Sequence, residues 1–225
     1  MLLCLCIHLT VYTTLFSIAR QITTSFAKVV NTGSILENPM HIHKMYDTET
    51  TILPKNRNLW TIRKAFSPET LEEFKNLVIS HDAIWHRPPM CLEYRLQLHQ
   101  DSKFYPRLWE IAETCRPTLE HVTNRNLSTA EAKVWLDLPY FHCPYHSDSS
   151  ELLVTMQLYL WSYGDNITGT IFDHNEPIIE LPFVENEGYI NYNIDEKIHN
   201  VHRIRGARLS VAFQYVARSD VQGEM

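Results

Sequence analysis

Residues 145–148 read Tyr-His-Ser-Asp and lie between two strand-like stretches, Lys133–Leu138 and Leu152–Trp161. Side chains two positions apart on an extended chain point to the same side. His146 and Asp148 therefore present an imidazole and a carboxylate to one point. Such a pair supplies two of the three ligands of a two-histidine, one-carboxylate metal site, which leaves coordination positions open. A His-x-Asp pair arises often by chance, so this interpretation requires a third ligand and a group that holds a co-substrate.

Both requirements are met later in the chain. His199 lies 51 residues after Asp148, and Arg208 and Ser210 follow shortly afterwards. A guanidinium holds a carboxylate by two parallel hydrogen bonds, and a nearby hydroxyl adds another. On an extended strand Arg208 and Ser210 share one face. The opposite face is apolar and is predicted to pack on the core; it carries Leu209, Val211, Phe213 and Tyr215.

The composition of the 225-residue chain excludes several other kinds of site. Lys and Arg number 20 and Asp and Glu 26, so the net charge is −6 and binding to nucleic acid is disfavoured. Six dispersed glycines leave no glycine-rich phosphate loop. Five cysteines include no Cys-x-x-Cys pair, which argues against a structural zinc site. Hydrophobic residues make up 44% of the chain, enough to bury a core.

The N-terminal segment leaves three interpretations open. Residues 1–19 are apolar and lack Asp, Glu, Lys and Arg, as in a signal peptide, and the absence of acidic residues up to Glu37 is also typical of a transit peptide. The third interpretation is that Met40 or Met45 is the true first residue. The first two predict the secretory pathway or an organelle and the third predicts the cytoplasm, while membrane association through the apolar segment stays open.

The rest of the chain predicts helices followed by an antiparallel β core. Residues 20–58 are polar and are predicted to form a linker or a loosely packed arm, so the domain organisation is a segment 1–58 and a single domain 59–225. Ser67 and Pro68 begin a predicted helix over 68–80, and a second helix is expected over 104–123, kinked or broken at Pro117. About eight short strands separated by turn residues are expected over about 130–217, which indicates a sandwich or barrel.

Together, His-x-Asp, a distant histidine and Arg-x-Ser nine residues further on resemble the Fe(II)- and 2-oxoglutarate-dependent dioxygenases, most closely the prolyl-hydroxylase-like members. The likeness covers about 130–217. Tyr159 resembles the family's strand tyrosine that contacts the far carboxylate of 2-oxoglutarate. Gly169-Thr170-Ile-Phe172 resembles the family's Gly-x-Thr-x-Phe turn in shortened form. The stretch Leu136–Tyr145 lacks the family's usual tyrosine and glycines, and Thr168 stands where the family has another glycine.

The resemblance implies a double-stranded β-helix, or jelly roll, in an α+β domain with the N-terminal helices packed on one sheet. It also implies that Fe(II) is bound by His146, Asp148 and His199, and that 2-oxoglutarate is held by Arg208, Ser210 and Tyr159. His202 competes with His199, and Arg205 with Arg208, but the family's spacing and the Arg-x-Ser context favour His199 and Arg208. Residues 82–102 are expected to be irregular, and Trp85, His86 and Arg87 within them form either a lid or substrate loop, or ordinary loop packing.

The activity implied by the resemblance is hydroxylation of a C–H bond in a peptidyl residue or a small molecule. Dioxygen and 2-oxoglutarate are consumed, succinate and CO₂ are released, and ascorbate is a candidate reductant. The alternative is a catalytically inactive β-helix module that binds a ligand or a partner. An iron-only cupin-type enzyme is a third option, but that enzyme would not need the arginine and the serine. Neither the substrate nor the oligomeric state follows from the sequence.

Overall fold

The computed structural model describes residues 41–56, 58–88, 94–173, 178–193 and 198–218. The predictions for residues 1–40, including the targeting segment, the alternative start at Met40 and the membrane question, lie outside the described residues. Within the described residues no helix is both long and apolar enough to cross a membrane.

Thirteen strands form two antiparallel sheets in the described residues. The nine-stranded sheet has the order β1-β2-β3-β11-β8-β13-β6-β5-β4, and the four-stranded sheet has the order β10-β9-β12-β7. The strands are β1 (His41–Lys44), β2 (Glu49–Asn56), β3 (Leu59–Arg63), β4 (Trp85–His86), β5 (Arg95–Leu98), β6 (Leu127–Asp137), β7 (Cys143–His146), β8 (Val154–Tyr163), β9 (Thr170–Asp173), β10 (Ile179–Leu181), β11 (Glu187–Tyr192), β12 (Ile198–Val201) and β13 (Ala207–Ala217).

The two sheets enclose an inner space, and their facing side chains form a small buried cluster. Leu59, Tyr159 and Tyr189 of the larger sheet meet Phe172 and Leu181 of the smaller one. Two facing antiparallel sheets that share an interior are the arrangement of a jelly roll. The predicted jelly-roll core is thus confirmed. The eight strands expected over about 130–217 are β6 to β13, and β1 to β5 extend the larger sheet at its edges.

Two helices contribute buried side chains to the main core. Helix α1 spans Pro68–Asn76 and begins where predicted, because the Ser67 hydroxyl accepts a hydrogen bond from the backbone N–H of Thr70. It ends earlier than the predicted residue 80, because residues 77–79 form turns. Helix α2 spans Tyr105–Thr123 and continues through Pro117 without a break. Proline removes one backbone donor there, while buried apolar side chains on both sides of it hold the helix against the core.

The expected linker and the expected irregular region both contain strands. Residues 41–56 form β1 and β2 at one edge of the larger sheet, so the prediction of a linker or loose arm is wrong for this stretch. Met45 and Ile52 bury apolar side chains in the core there, which fixes the stretch to the sheet. At the opposite edge, β4 and β5 lie within the stretch 82–102, and β4 carries Trp85 and His86.

The alternation of strand β13 determines where the functional side chains lie. Its apolar residues Leu209, Val211, Phe213 and Tyr215 belong to the main core with α1 and α2. Arg208 and Ser210 are also completely buried, but they lie on the other face of the strand. The larger sheet therefore has an apolar outer face under the helices and an inner face that carries polar groups.

Candidate metal and carboxylate site

The structure brings His146, Asp148 and His199 together. His146 on β7 is paired directly across the smaller sheet with His199 on β12. Asp148 follows two residues after the end of β7. One potential ligand atom from each residue lies within 4.8 Å of the other two, and Nε2 of His199 is 3.9 Å from Oδ1 of Asp148. Two imidazoles and one carboxylate at this separation match the donor set of a non-haem Fe(II) site.

Neighbouring groups orient two of these side chains. The backbone carbonyl of Pro144 lies 3.0 Å from Nδ1 of His146, so Nδ1–H donates to it and Nε2 is the nitrogen that would bind a metal after losing its proton. The Sγ of Cys143 lies 3.5 Å from the same Nδ1, and this contact raises the pKa of His146 to about 9. On Asp148, Oδ2 accepts a hydrogen bond of 2.9 Å from Thr155, which leaves Oδ1 on the His199 side.

The three side chains of the group differ in their exposure to solvent. His199 is 8% exposed, Asp148 is half-buried and His146 is exposed. A substrate would therefore reach the site past His146. His142 and His202 are exposed and do not belong to the group, which is the one cluster of three such side chains within the described part of the chain.

The predicted carboxylate-binding residues lie inside the barrel. Arg208 donates from Nε to Oδ2 of Asp137 at 2.8 Å and from Nη1 to the carbonyl of Thr168 at 2.6 Å. Its Nη2 is buried without a hydrogen-bond partner, and so is Oγ of Ser210. Buried polar atoms are costly to leave unsatisfied. Two unsatisfied groups two residues apart on one strand face are suited to a ligand carboxylate. Arg205, by contrast, is exposed.

Tyr159 is buried nearby, but its hydroxyl has other partners. It donates to Oγ1 of Thr170 at 3.0 Å and accepts from the backbone N–H of Thr170 at 3.1 Å. A contact with a carboxylate requires the hydroxyl hydrogen to turn away from Thr170. The role of Tyr159 in holding 2-oxoglutarate stays a prediction.

The predicted glycine turn has a direct steric reason. A Cβ on Gly169 would lie 1.8 Å from the carbonyl oxygen of Leu181, so only glycine fits at this point. Thr168, which replaces the family's other glycine, is the residue whose carbonyl receives the hydrogen bond from Arg208. This departure from the family's pattern is thus compatible with a buried arginine at 208.

Sequence reasoning missed two charged residues that contact this site. Asp137 is fully buried on β6, opposite Arg208, and Arg95 on β5 donates to both of its carboxylate oxygens. Burial favours the neutral acid and would raise the pKa of Asp137, but the charges of Arg95 and Arg208 outweigh burial and lower it. The available signal was the alternation of β6, which places Asp137 on the same face as Trp135 and opposite the apolar Val134 and Leu136.

A series of aromatic rings connects the metal-ligand group to Arg208. The His199 ring lies 5.5 Å from Phe172, and Phe172 packs edge-on at 5.0 Å against Tyr189. Tyr189 in turn lies 6.3 Å from Tyr159. Phe183 completes the series, since it stacks on Tyr159 at 4.5 Å and has the Arg208 guanidinium 5.7 Å from its centre. Both groups therefore border one aromatic interior between the sheets.

Comparison with solved structures identifies the fold. HygX from Streptomyces hygroscopicus, with nickel, 2-oxoglutarate and hygromycin B bound, has a TM-score of 0.55 at 13% identity over 71% of this chain and 83% of that one. A prolyl hydroxylase from Trichoplax adhaerens, in complex with a hypoxia-inducible-factor peptide, has a TM-score of 0.57 at 10% identity over 71% and 84%. The α-ketoglutarate-dependent epimerase SnoN from nogalamycin biosynthesis has a TM-score of 0.56 at 9% identity over 71% and 78%.

No protein-family model matches the chain, and no curated protein matches its sequence. The similarity to the solved structures is therefore one of fold, and their reactions differ from one another. The chain has the double-stranded β-helix fold of the 2-oxoglutarate- and iron-dependent oxygenases.

Proposed function

We propose that the protein is an Fe(II)- and 2-oxoglutarate-dependent dioxygenase that hydroxylates a peptidyl residue or a small molecule. One observation carries the proposal: a His-Asp-His group and a buried arginine with an unsatisfied Nη2 border the same aromatic interior. The fold alone would not distinguish this function from a binding role.

The residues present fit both the metal and the co-substrate. His146, Asp148 and His199 would hold Fe(II) through Nε2, Oδ1 and Nε2, and a ligand set on one face leaves positions for other ligands. Nη2 of Arg208 and Oγ of Ser210 would hold the far carboxylate of 2-oxoglutarate. When bound, Fe(II) and 2-oxoglutarate supply the means of activating dioxygen, with decarboxylation to succinate and CO₂.

The chain itself contributes orientation and exclusion of water. Pro144 fixes the His146 ring, and Thr155 fixes Asp148, so the ligand atoms are held in place before a metal binds. The aromatic interior keeps water away from the buried end of the site, where a charge-assisted hydrogen bond is strong. A substrate would approach from the exposed side at His146, whether it is a residue in a peptide or a small molecule.

Succinate formation tests the proposal. Purified protein would be incubated with Fe(II), 2-oxoglutarate, ascorbate and air, alone and with peptide and metabolite pools. We expect succinate from the wild type and from His202→Ala, and none from His199→Ala. His202 is an exposed histidine three residues away, so it serves as a matched control.

The results that would contradict the proposal differ in what they refute. Binding of 2-oxoglutarate with no succinate under any of these conditions would favour the alternative, an inactive binding module. Absence of both binding and succinate would refute the proposed function. Equal succinate from His199→Ala and the wild type would refute the assignment of the metal ligands.

A further inference from the structure

We propose that Arg95 is a positioning residue for 2-oxoglutarate. It occupies the side of Asp137 on which a guanidinium pairs with both oxygens, and so keeps Nη2 of Arg208 available to the ligand. The inference rests on the proposed function and adds a residue that neither the sequence pattern nor the fold assigns. It follows from how three buried charged side chains share hydrogen bonds.

Arg95 grips the Asp137 carboxylate with two donors. Its Nε lies 2.6 Å from Oδ1 and its Nη2 lies 3.0 Å from Oδ2. This is the bidentate geometry in which the planar guanidinium matches a carboxylate. Both oxygens of Asp137 are therefore engaged by Arg95 before Arg208 is considered.

Arg208 makes only one hydrogen bond to the same carboxylate. It reaches Asp137 through Nε alone, at 2.8 Å from Oδ2. An arginine that met this carboxylate by itself could use Nε and Nη2 together, as Arg95 does. Arg95 already occupies the side of the carboxylate on which one guanidinium pairs with both oxygens, so this two-donor geometry is closed to Arg208. Its Nη2 is buried and has no hydrogen-bond partner.

The position of Arg95 is fixed by its surroundings. Its guanidinium lies between two rings, 4.4 Å from the centre of Trp135 and 4.2 Å from the centre of Phe141. The strand register places Arg95, Asp137 and Arg208 in one row across β5, β6 and β13. Stacking and register together hold the Arg95 donors on Asp137 rather than on solvent.

Loss of the two hydrogen bonds from Arg95 to Asp137 would change how Asp137 pairs with Arg208. With Oδ1 released, Asp137 can form the two-donor pair with Arg208 and consume Nη2. The guanidinium of Arg208 would then be neutralised within the protein, and 2-oxoglutarate would have to displace a buried carboxylate.

Arg95→Lys separates positioning from charge. Lysine keeps the positive charge but offers a single ammonium that does not pair with both oxygens in a plane. If Arg95 acts by its charge alone, Arg95→Lys binds 2-oxoglutarate like the wild type. If it acts by positioning, the Kd rises about 10-fold or more, the size expected when one charged hydrogen bond is lost.

The experiment measures the Kd of 2-oxoglutarate by calorimetry on Ni(II)-loaded protein, with the Kd of Ni(II) and the melting temperature recorded for each variant. We expect the Kd of 2-oxoglutarate to rise in Arg95→Lys while the Kd of Ni(II) is unchanged. In turnover, KM for 2-oxoglutarate should rise with kcat unchanged at saturation. Arg116→Lys, which alters an arginine paired with two glutamates on α2, is the control and should change neither constant.

The second part of the experiment repeats the Kd measurement in an Asp137→Asn background. In that background no carboxylate can close on Arg208, so adding Arg95→Lys should change the Kd little further. Wild-type affinity in Arg95→Lys, or an equal effect of Arg95→Lys in both backgrounds, would overturn the inference and leave the proposed function standing. Failure of the Ni(II)-loaded wild type to bind 2-oxoglutarate would overturn the proposed function, and this inference with it.

Discussion

Removal of the Ser210 hydroxyl should stabilise the free protein and weaken its binding of 2-oxoglutarate. The Oγ of Ser210 is fully buried and has no hydrogen-bond partner, so its desolvation is uncompensated without a ligand. Removing such a group should raise the free energy of unfolding by about 1–3 kcal/mol. A hydrogen bond to a charged group is worth about 1.5–3 kcal/mol. Ser210→Ala should therefore raise the Kd of 2-oxoglutarate about 10- to 150-fold.

Two measurements on Ser210→Ala test the expected gain in stability and the expected loss of affinity. Urea unfolding of the metal-free protein should give a larger free energy of unfolding for Ser210→Ala than for the wild type, and calorimetry with Ni(II) should give the larger Kd. Ser162→Ala is a suitable control, because Ser162 lies on the neighbouring strand β8 but is exposed. A variant that is less stable than the wild type and binds 2-oxoglutarate equally well would show that the hydroxyl serves the fold and not a ligand.

Three further predictions follow from the site and its supports. His199→Ala should weaken Ni(II) binding by more than about 100-fold, the upper range for loss of outer hydrogen bonds, while His202→Ala leaves it unchanged in calorimetry; the reverse order would exchange the two ligand assignments. Gly169→Ala should lower the free energy of unfolding by about 2 kcal/mol or more, because its Cβ would collide with the carbonyl of Leu181; wild-type stability in urea would contradict the close approach. The folded pKa of Asp137 lies below the ordinary 3.8, so its ion pairs stabilise the protein above that value and are lost as the pH falls through the folded pKa. The melting temperature should therefore fall more steeply on acidification in the wild type than in Asp137→Asn, and equal slopes would contradict this assignment.

The sequence allowed prediction of the parts of the site that depend on local spacing. His146 and Asp148 share a side because they are two residues apart, and the same rule separates Arg208 and Ser210 from the apolar face of β13. The start of α1 was predictable for the same reason, since a cap is a contact between residues three apart.

The parts that were missed depend on contacts between distant residues. Arg95 and Asp137 are separated by 42 positions, and no local pattern reveals that their strands pair. The polar sequence around β2 predicts a linker, although the pairing of β2 with β3 brings Ile52 into the core. Strand pairing of this kind overrides local composition, which is why the edges of the sheet were harder to predict than its centre.

A crystal structure of the protein with Mn(II) and 2-oxoglutarate would test the central claim most directly. We predict that the anomalous signal of the metal lies between Nε2 of His146, Oδ1 of Asp148 and Nε2 of His199. The far carboxylate of 2-oxoglutarate should lie on Nη2 of Arg208 and Oγ of Ser210. A metal bound elsewhere, or a ligand that leaves Nη2 of Arg208 without a partner, would contradict the account.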